Sequence, residues 1–234
     1  MFKKLQDAAK LAKDLATAVR HDVENRNATA LAISAAQPKL IFALDATESR
    51  VSTWSMAGEL QHDMLTAAGN AGLAVAIGYF NNQYCGVTNN YFTDAQAASA
   101  YLRSIRLISC YTKIAQLFAQ FVVHADSPHG ARVAIFIGDS FEDDRAATML
   151  QAVKLKERGF RVFMLLEGRN SSAEQNFRAV AEATGGLFAR FDNGSKVQLQ
   201  ELVQSIASYA AGNLALTHQS GTFATALKAL PPPR

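Results

Sequence analysis

Oxygen-bearing side chains at alternate positions follow directly after an apolar run in the stretch KLIFALDATESR. Asp45 ends the run, and the hydroxyl residues Thr47 and Ser49 follow at spacings of two. Asp139 ends a second apolar run, VAIFIGD, and Thr112 precedes a stretch of helical periodicity. Two carboxylates and three hydroxyls are hard oxygen ligands, and no histidine or cysteine joins them. Such a set suits Mg²⁺ or Mn²⁺, with Ca²⁺ as an alternative, and does not suit Zn²⁺.

Apolar runs alternate with helical stretches along most of the chain. The runs predict strands at 40–44, 73–80, 131–139, 160–167 and 187–191, with a hairpin-like edge strand at 82–88. The helical periodicities predict helices at 50–72, 93–108, 112–125, 143–159, 171–186 and 195–212. Capping boxes at Thr93–Gln96 and Ser171–Glu174 indicate where two of these helices begin. The alternation predicts an α/β fold, a doubly wound, mainly parallel Rossmann-like sheet flanked by helices.

The predicted sheet brings together polar residues that are distant in the sequence. In open sheets of this class, ligands bind outside the carboxyl ends of the strands, near the point where the strand order reverses. We therefore expect one metal site at this edge, and its expected ligands are Asp45, Thr47, Ser49, Thr112 and Asp139. The plainer alternative is an ordinary strand–loop–helix junction in which a hydroxyl of the DATES segment caps the next helix.

The chain resembles the von Willebrand factor type A (vWA) family over about residues 38–210. The DATES segment, Asp45 to Ser49, matches the D-x-[ST]-x-S motif of the family's metal-ion-dependent adhesion site. Thr112 in SCYTKIA matches the family's separate threonine, and Asp139 in IFIGDS matches its second aspartate. The late segment FRAVAEATGGLFARF is similar to the family's final helix, Gly-Gly turn and short strand.

The resemblance implies a divalent-metal-dependent protein-interaction module and not an enzyme. The hydroxyls of Thr47 and Ser49 would bind the cation. Asp45 and Asp139 would act directly or through water, and Thr112 would bind in only some conformations. An open coordination position would then take a carboxylate from a partner protein. By analogy with intracellular members of the family, an ATPase or an assembly factor is the kind of partner expected.

Three positions near the predicted site differ from the family pattern, and a fourth lies outside it. Cys110-Tyr111 stands where family members have Gly-Gly before the threonine, and Ser140 replaces the usual glycine after the second aspartate. Arg50 directly follows the DATES segment. We expect it to pair with an acidic group of a partner, or with Glu48 or Asp143.

A phosphatase is the competing interpretation. The segment IFIGDSFEDDRAA also resembles the acidic motif of haloacid-dehalogenase-type phosphatases, and LDAT resembles their nucleophile strand. Asp45 would then attack phosphate, with Mg²⁺ held by Asp45, Asp139 and Asp143. Thr47 stands where those enzymes place an acid–base aspartate, and Lys113 is the candidate for the lysine that they need. A third interpretation keeps the fold without a metal, as a passive scaffold.

Composition limits the remaining function classes. The 234 residues have a formal net charge of +3, which is too weakly basic to indicate nucleic-acid binding without a concentrated patch. Cys85 and Cys110 match no metal or redox spacing, which favours a reducing compartment. Charges interrupt the N-terminal apolar runs, so these runs do not form the apolar core of a signal peptide. No segment has the roughly 18 apolar residues of a membrane span. We therefore expect a bacterial-type cytoplasmic protein.

Three segments are predicted along the chain. An amphipathic helical extension occupies 1–36, with a helix at 2–20 in which apolar residues recur at spacings of three and four. A vWA-like domain occupies 37–212. A tail at 213–234 ends in ALPPPR, and its proline run predicts an extended end.

Overall fold

A computed structural model describes residues 37–50, 72–192, 195–212 and 221–233. The chain divides into two compact units, residues 1–37 and 38–234. The predicted N-terminal helix and the body of the helix predicted at 50–72 lie outside the described residues. Both stay predictions, as do the three predicted domain boundaries.

A sheet of six strands forms the centre of the described part of the second unit. The strands are β1 (Lys39–Asp45), β2 (Ala74–Phe80), β3 (Cys85–Val87), β4 (Val133–Gly138), β5 (Arg161–Glu167) and β6 (Phe188–Phe191). Their order is β3-β2-β1-β4-β5-β6, and β3 alone among them pairs antiparallel. The predicted fold class is confirmed, and so is the hairpin-like edge strand.

Helices cover both faces of this sheet. Those within the described residues are α1 (Ala95–Ser104), α2 (Ile114–Asp126), α3 (Arg145–Glu157), α4 (Ser171–Thr184), α5 (Lys196–Ala210) and α6 (Thr222–Ala229). Buried side chains of α2, α3 and α4 belong to one hydrophobic core, and those of α1, α5 and α6 belong to the other. No helix in the described ranges has the length and apolar character to cross a membrane.

The central strands are apolar throughout because both of their faces are covered. Every residue of β4 is buried, as the run VAIFIG predicts for a strand inside a parallel sheet. Successive side chains point to opposite faces. Phe42 and Ile135 therefore lie in one core, while Ile41 and Phe136 lie in the other. This two-sided packing fixes the positions at which β1 and β4 end.

Both predicted capping boxes are wrong by one residue. Asp94, and not Thr93, caps α1 by accepting hydrogen bonds from two backbone N–H groups of the first turn. Asn170, and not Ser171, caps α4 through its side-chain oxygen. The capping residue is the last one outside helical geometry, and the flanking aspartate and asparagine are as effective there as a hydroxyl residue.

The C-terminal tail contains a helix, α6, before its proline run. Leu227 of α6 is completely buried in the same core as α5. The Tyr209 hydroxyl donates a hydrogen bond of 2.7 Å to the backbone carbonyl of Pro231, which fastens the chain after the helix. The sequence analysis predicted only the extended end and did not predict this helix, whose stretch TFATALKA contributes apolar side chains to the core.

Replacing Leu227 by alanine is expected to lower the free energy of unfolding by about 2–5 kcal/mol, since the substitution leaves a cavity in a packed core. Chemical denaturation measures this loss. Val197→Ala on α5 is the control, because Val197 is 66% exposed and should change stability by less than about 0.5 kcal/mol. Equal effects of the two substitutions would mean that α6 is not part of the core.

Candidate functional site

β1 delivers Asp45 to the edge of the sheet as a completely buried carboxylate. The chain then turns, so that the backbone N–H of Thr47 donates to Asp45 Oδ1 at 3.0 Å. The hydroxyl oxygens of Thr47 and Ser49 lie 3.1 Å apart, at hydrogen-bond distance. A short 3-10 turn, Glu48–Arg50, completes this β1 loop. The alternate spacing in the sequence thus brings the three oxygen-bearing side chains of DATES together.

Asp139 follows β4, the strand that pairs in parallel with β1. Its oxygen Oδ1 is buried, and so is the second oxygen of Asp45, Oδ2. Within the described ranges, neither atom has a hydrogen-bond partner. A buried carboxylate oxygen without a partner is costly, so two of them on neighbouring strand ends are unusual. We call this edge of the sheet, at the ends of β1 and β4, the crevice, after the position at which ligands bind in open α/β sheets. It presents carboxylate oxygen atoms that no donor in the described part of the chain satisfies.

Burial raises the pKa of Asp45 from 3.8 to about 6. Its hydrogen bonds with Thr47 oppose this shift, the nearby carboxylate of Asp139 adds to it, and the positive charge of Arg50 reduces it. Desolvation therefore outweighs the local hydrogen bonds. The ionised form of Asp45 is destabilised in the folded chain, and an added positive charge in the crevice would stabilise it.

Thr112 is buried in the loop that leads into α2. Its hydroxyl accepts a hydrogen bond of 2.8 Å from the backbone N–H of Glu142, in the loop that follows Asp139. The carboxylate of Asp143 in turn accepts a bond of 2.7 Å from the N–H of Ala115, at the start of α2. These bonds join the loop of Thr112 to the loop of Asp139. The bond from Glu142 occupies one lone pair of the Thr112 hydroxyl oxygen.

The loop before α2 is also joined to the β1 loop. Ser109 donates to the Glu48 carboxylate at 2.5 Å, and the backbone N–H of Ile108 donates to the carbonyl of Ala46 at 3.2 Å. Hydrogen bonds therefore connect the three loops that carry all five predicted ligands, since the loop before α2 is bonded to both of the others. The predicted residues of the first and third loops also interact directly, through the electrostatic effect of Asp139 on Asp45.

Arg50 pairs with Glu167, a residue that the sequence interpretation did not consider. The Arg50 Nη1 and Glu167 Oε2 atoms lie 2.5 Å apart, and the two side chains are only 3% and 4% exposed. The expected pairing with Glu48 or Asp143 is wrong, since these acids bind Ser109 and cap α2. The signal in the sequence was a glutamate at the end of the apolar run FRVFMLLE, which parallels Asp45 at the end of its own run.

The groups that a phosphatase would need have other roles in the described structure. Asp143 caps α2, as given above. The Lys113 ammonium donates a hydrogen bond of 2.8 Å to the backbone carbonyl of Asn81, after β2. Both side chains therefore brace loops, and neither contact adds to the group formed by Asp45 and Asp139.

The described residues contain no group of three or more His, Cys, Asp or Glu side chains able to hold a metal. The predicted set contributes only two such side chains, because its other three members are hydroxyl residues. A metal site here would therefore depend on hydroxyl ligands as well as on Asp45 and Asp139.

Comparison with known proteins gives a fold likeness without a sequence match. No family profile and no curated protein sequence matches the chain. Among solved structures, BatB from Bacteroides thetaiotaomicron aligns with a TM-score of 0.58 and 18% identity, over 74% of this chain and 98% of that one. The vWF domain of the type V pili tip protein from Porphyromonas gingivalis aligns with a TM-score of 0.61 and 9% identity, over 80% and 98% of the two chains.

A third likeness involves a metal. The proximal thread matrix protein 1 from the mussel byssus, with a zinc-occupied MIDAS motif, aligns with a TM-score of 0.56 and 13% identity. The alignment covers 76% of this chain and 46% of that one. MIDAS denotes the metal-ion-dependent adhesion site. At these identities the comparisons establish the fold alone, and this chain contains a vWA-like domain.

Asp45→Asn is expected to stabilise the metal-free protein at pH 7 by at most about 2–3 kcal/mol, because the folded chain disfavours the ionised carboxylate. The folded pKa of about 6 lies above the ordinary 3.8. The free energy of unfolding of the wild type should therefore fall by this amount as the pH rises from about 4 to about 6, while that of the variant should not. Chemical denaturation in chelator across this pH range measures the difference.

Asp94→Asn provides the matched control for that experiment. Asp94 is an exposed helix cap, and asparagine caps equally well. Its stability curve against pH should therefore follow that of the wild type. A similar gain in both variants would show that the burial of Asp45 is not the cause.

Proposed function

We propose that the domain is a divalent-metal-dependent protein-interaction module that binds an acidic group of a partner protein. The observation that carries the proposal is the pair of buried carboxylate oxygens, Asp45 Oδ2 and Asp139 Oδ1, which have no hydrogen-bond partner in the described part of the chain. They lie at the ends of neighbouring parallel strands, at the point where the strand order reverses. This is where ligands bind in open α/β sheets.

The residues of the crevice fit a hard cation. The proposed ligands are Asp45, Thr47, Ser49, Thr112 and Asp139. Carboxylate and hydroxyl oxygens favour Mg²⁺, with Mn²⁺ or Ca²⁺ as alternatives. The neighbouring mussel protein has zinc in its MIDAS motif, so Zn²⁺ belongs among the cations to be tested. When bound, the cation would supply an open coordination position for a carboxylate oxygen of the partner.

The side chains at this edge would hold the cation and leave it accessible to a partner. Asp45 and Asp139 provide the negative charge, while the neutral hydroxyls leave a divalent ion only partly neutralised when one carboxylate acts through water. Ser49 is exposed to solvent, so the β1 loop reaches the protein surface. Tyr111, next to Thr112, is 79% exposed and offers an aromatic contact for a partner beside the crevice.

The proposal assigns no catalytic residue, cofactor other than the metal, or nucleic acid to the domain. The cytoplasm of a bacterial cell stays the proposed compartment, and an ATPase or an assembly factor stays the proposed kind of partner by analogy alone. The haloacid-dehalogenase-like phosphatase, with Asp45 as nucleophile, and the metal-free scaffold are the alternatives that the experiments below separate.

Adding Mg²⁺ or Mn²⁺ to chelator-treated protein is expected to raise the thermal midpoint. A ligand at 100 times its dissociation constant stabilises the folded state by about 2.7 kcal/mol, or roughly 5–10 °C for a domain of this size. Asp45→Asn and Asp139→Asn should each abolish the rise, and Asp94→Asn should retain it. No rise at millimolar metal, Zn²⁺ and Ca²⁺ included, would favour the scaffold.

Metal-dependent capture of a partner should follow the same residues. The wild-type protein is expected to retain a partner in Mg²⁺ and release it in chelator, and Asp45→Ala should capture nothing specific in either buffer. The readout is the set of proteins whose recovery depends on both the metal and Asp45. Turnover of a phosphate ester that requires metal and disappears in Asp45→Asn would instead support the phosphatase.

A further inference from the structure

The buried ion pair between Arg50 and Glu167 lies next to the proposed cation site. Arg50 directly follows Ser49, and Glu167 is the last residue of β5. β4 separates β1 from β5 in the sheet, so the arginine of the β1 loop must cross the end of β4 to reach its partner. Asp139 lies at that end. The pair therefore joins the loop of Asp45 to the end of β5, the strand next to β4.

Packing alone gives no reason for an ion pair at this position. Removing two charges from water costs several kcal/mol, and apolar residues of the same volume are often as stable or more stable. Both side chains are almost completely buried, so this cost applies here. The charges of such a pair also act on neighbouring groups, and this effect can be followed for Arg50.

The positive charge of Arg50 acts on the proposed ligands. It lowers the pKa of Asp45, which shows that the guanidinium is within electrostatic reach of this carboxylate. A positive charge that acts on Asp45 would also repel a divalent cation bound there. Glu167, at 2.5 Å from the guanidinium, supplies a negative charge that offsets it.

We propose that Glu167 neutralises Arg50 and thereby keeps the crevice of Asp45 and Asp139 able to bind a cation. Glu167 is thus an affinity-setting residue outside the ligand set, and the charge balance of the pair regulates metal binding. This inference rests on the proposed function. It does not follow from the family's site pattern, since neither Arg50 nor Glu167 matches a residue of it.

The test measures Mn²⁺ binding directly, from the loss of the electron paramagnetic resonance signal of free Mn²⁺. Glu167→Gln keeps the shape of the side chain and removes its charge, so the affinity should fall. Even at the dielectric constant of water, a unit charge about 10 Å from a divalent ion changes the affinity about four-fold, and a lower effective dielectric constant enlarges this. Arg50→Gln should raise the affinity by a similar factor.

The opposite directions of these two effects separate a charge role from a structural one. A pair that only held the β1 loop in place would lower the affinity in both variants. The double variant Arg50→Gln with Glu167→Gln has the same net charge as the wild type and should bind Mn²⁺ within about two-fold of it. It also removes the uncompensated charge, so it keeps the test usable if Glu167→Gln alone fails to fold.

Asp126→Asn is the matched control, because it breaks the ion pair with Arg158 at the other end of α2. Its Mn²⁺ affinity should equal that of the wild type. If the wild type binds Mn²⁺ and none of the variants differs from it, or both single variants bind more weakly, the role of Glu167 is overturned and the metal site stands. If the wild type binds no Mn²⁺, the proposed function is overturned and this inference with it.

Discussion

The parallel pairing of β1 with β4 is the contact on which the candidate site depends. The two strands are neighbours in the sheet, although β2, β3, α1 and α2 lie between them in the sequence. β2 pairs with β1 on one side and β5 pairs with β4 on the other, so the strand order reverses between β1 and β4, which is where ligands bind in sheets of this class. Asp45 and Asp139 border the crevice only in the observed register. A slip of one residue would turn the side chains of the slipped strand to the opposite face.

The burial of Asp45 shows that this edge is not arranged for stability alone. An apolar residue at the end of β1 would avoid the desolvation that raises the pKa of this carboxyl to about 6. The surrounding loops do not remove the cost, since one oxygen of Asp45 accepts a hydrogen bond from Thr47 and the other accepts none from the described residues. Instead, hydrogen bonds between the loops keep the crevice formed around the charge. Such an arrangement is typical of a binding site, where local instability is offset by a ligand.

The sheet was predicted correctly, and the position of the candidate site was predicted for the same physical reason. Strands buried on both faces are nearly continuous apolar runs, so the first polar residue after each run marks its carboxyl end, and Asp45 and Asp139 are such residues. The partner of Arg50 could not be predicted in this way. It depends on β5 lying beside β4, and this strand order is not written in any local pattern. The helix caps and α6 were missed because they depend on the exact residue where a helix starts and on distant apolar contacts.

Three adjacent strands, β1, β4 and β5, each end at or beside an acidic residue, but the three carboxylates differ in their partners. Glu167 has a cation from within the chain, the guanidinium of Arg50. Asp45 and Asp139 each keep a buried oxygen that no described donor reaches, although the same arginine is close enough to affect the pKa of Asp45. Among the described residues, a basic side chain therefore pairs with one of these three acids, Glu167. The two buried oxygens without a described donor, Asp45 Oδ2 and Asp139 Oδ1, are therefore the observation on which the proposed cation site depends.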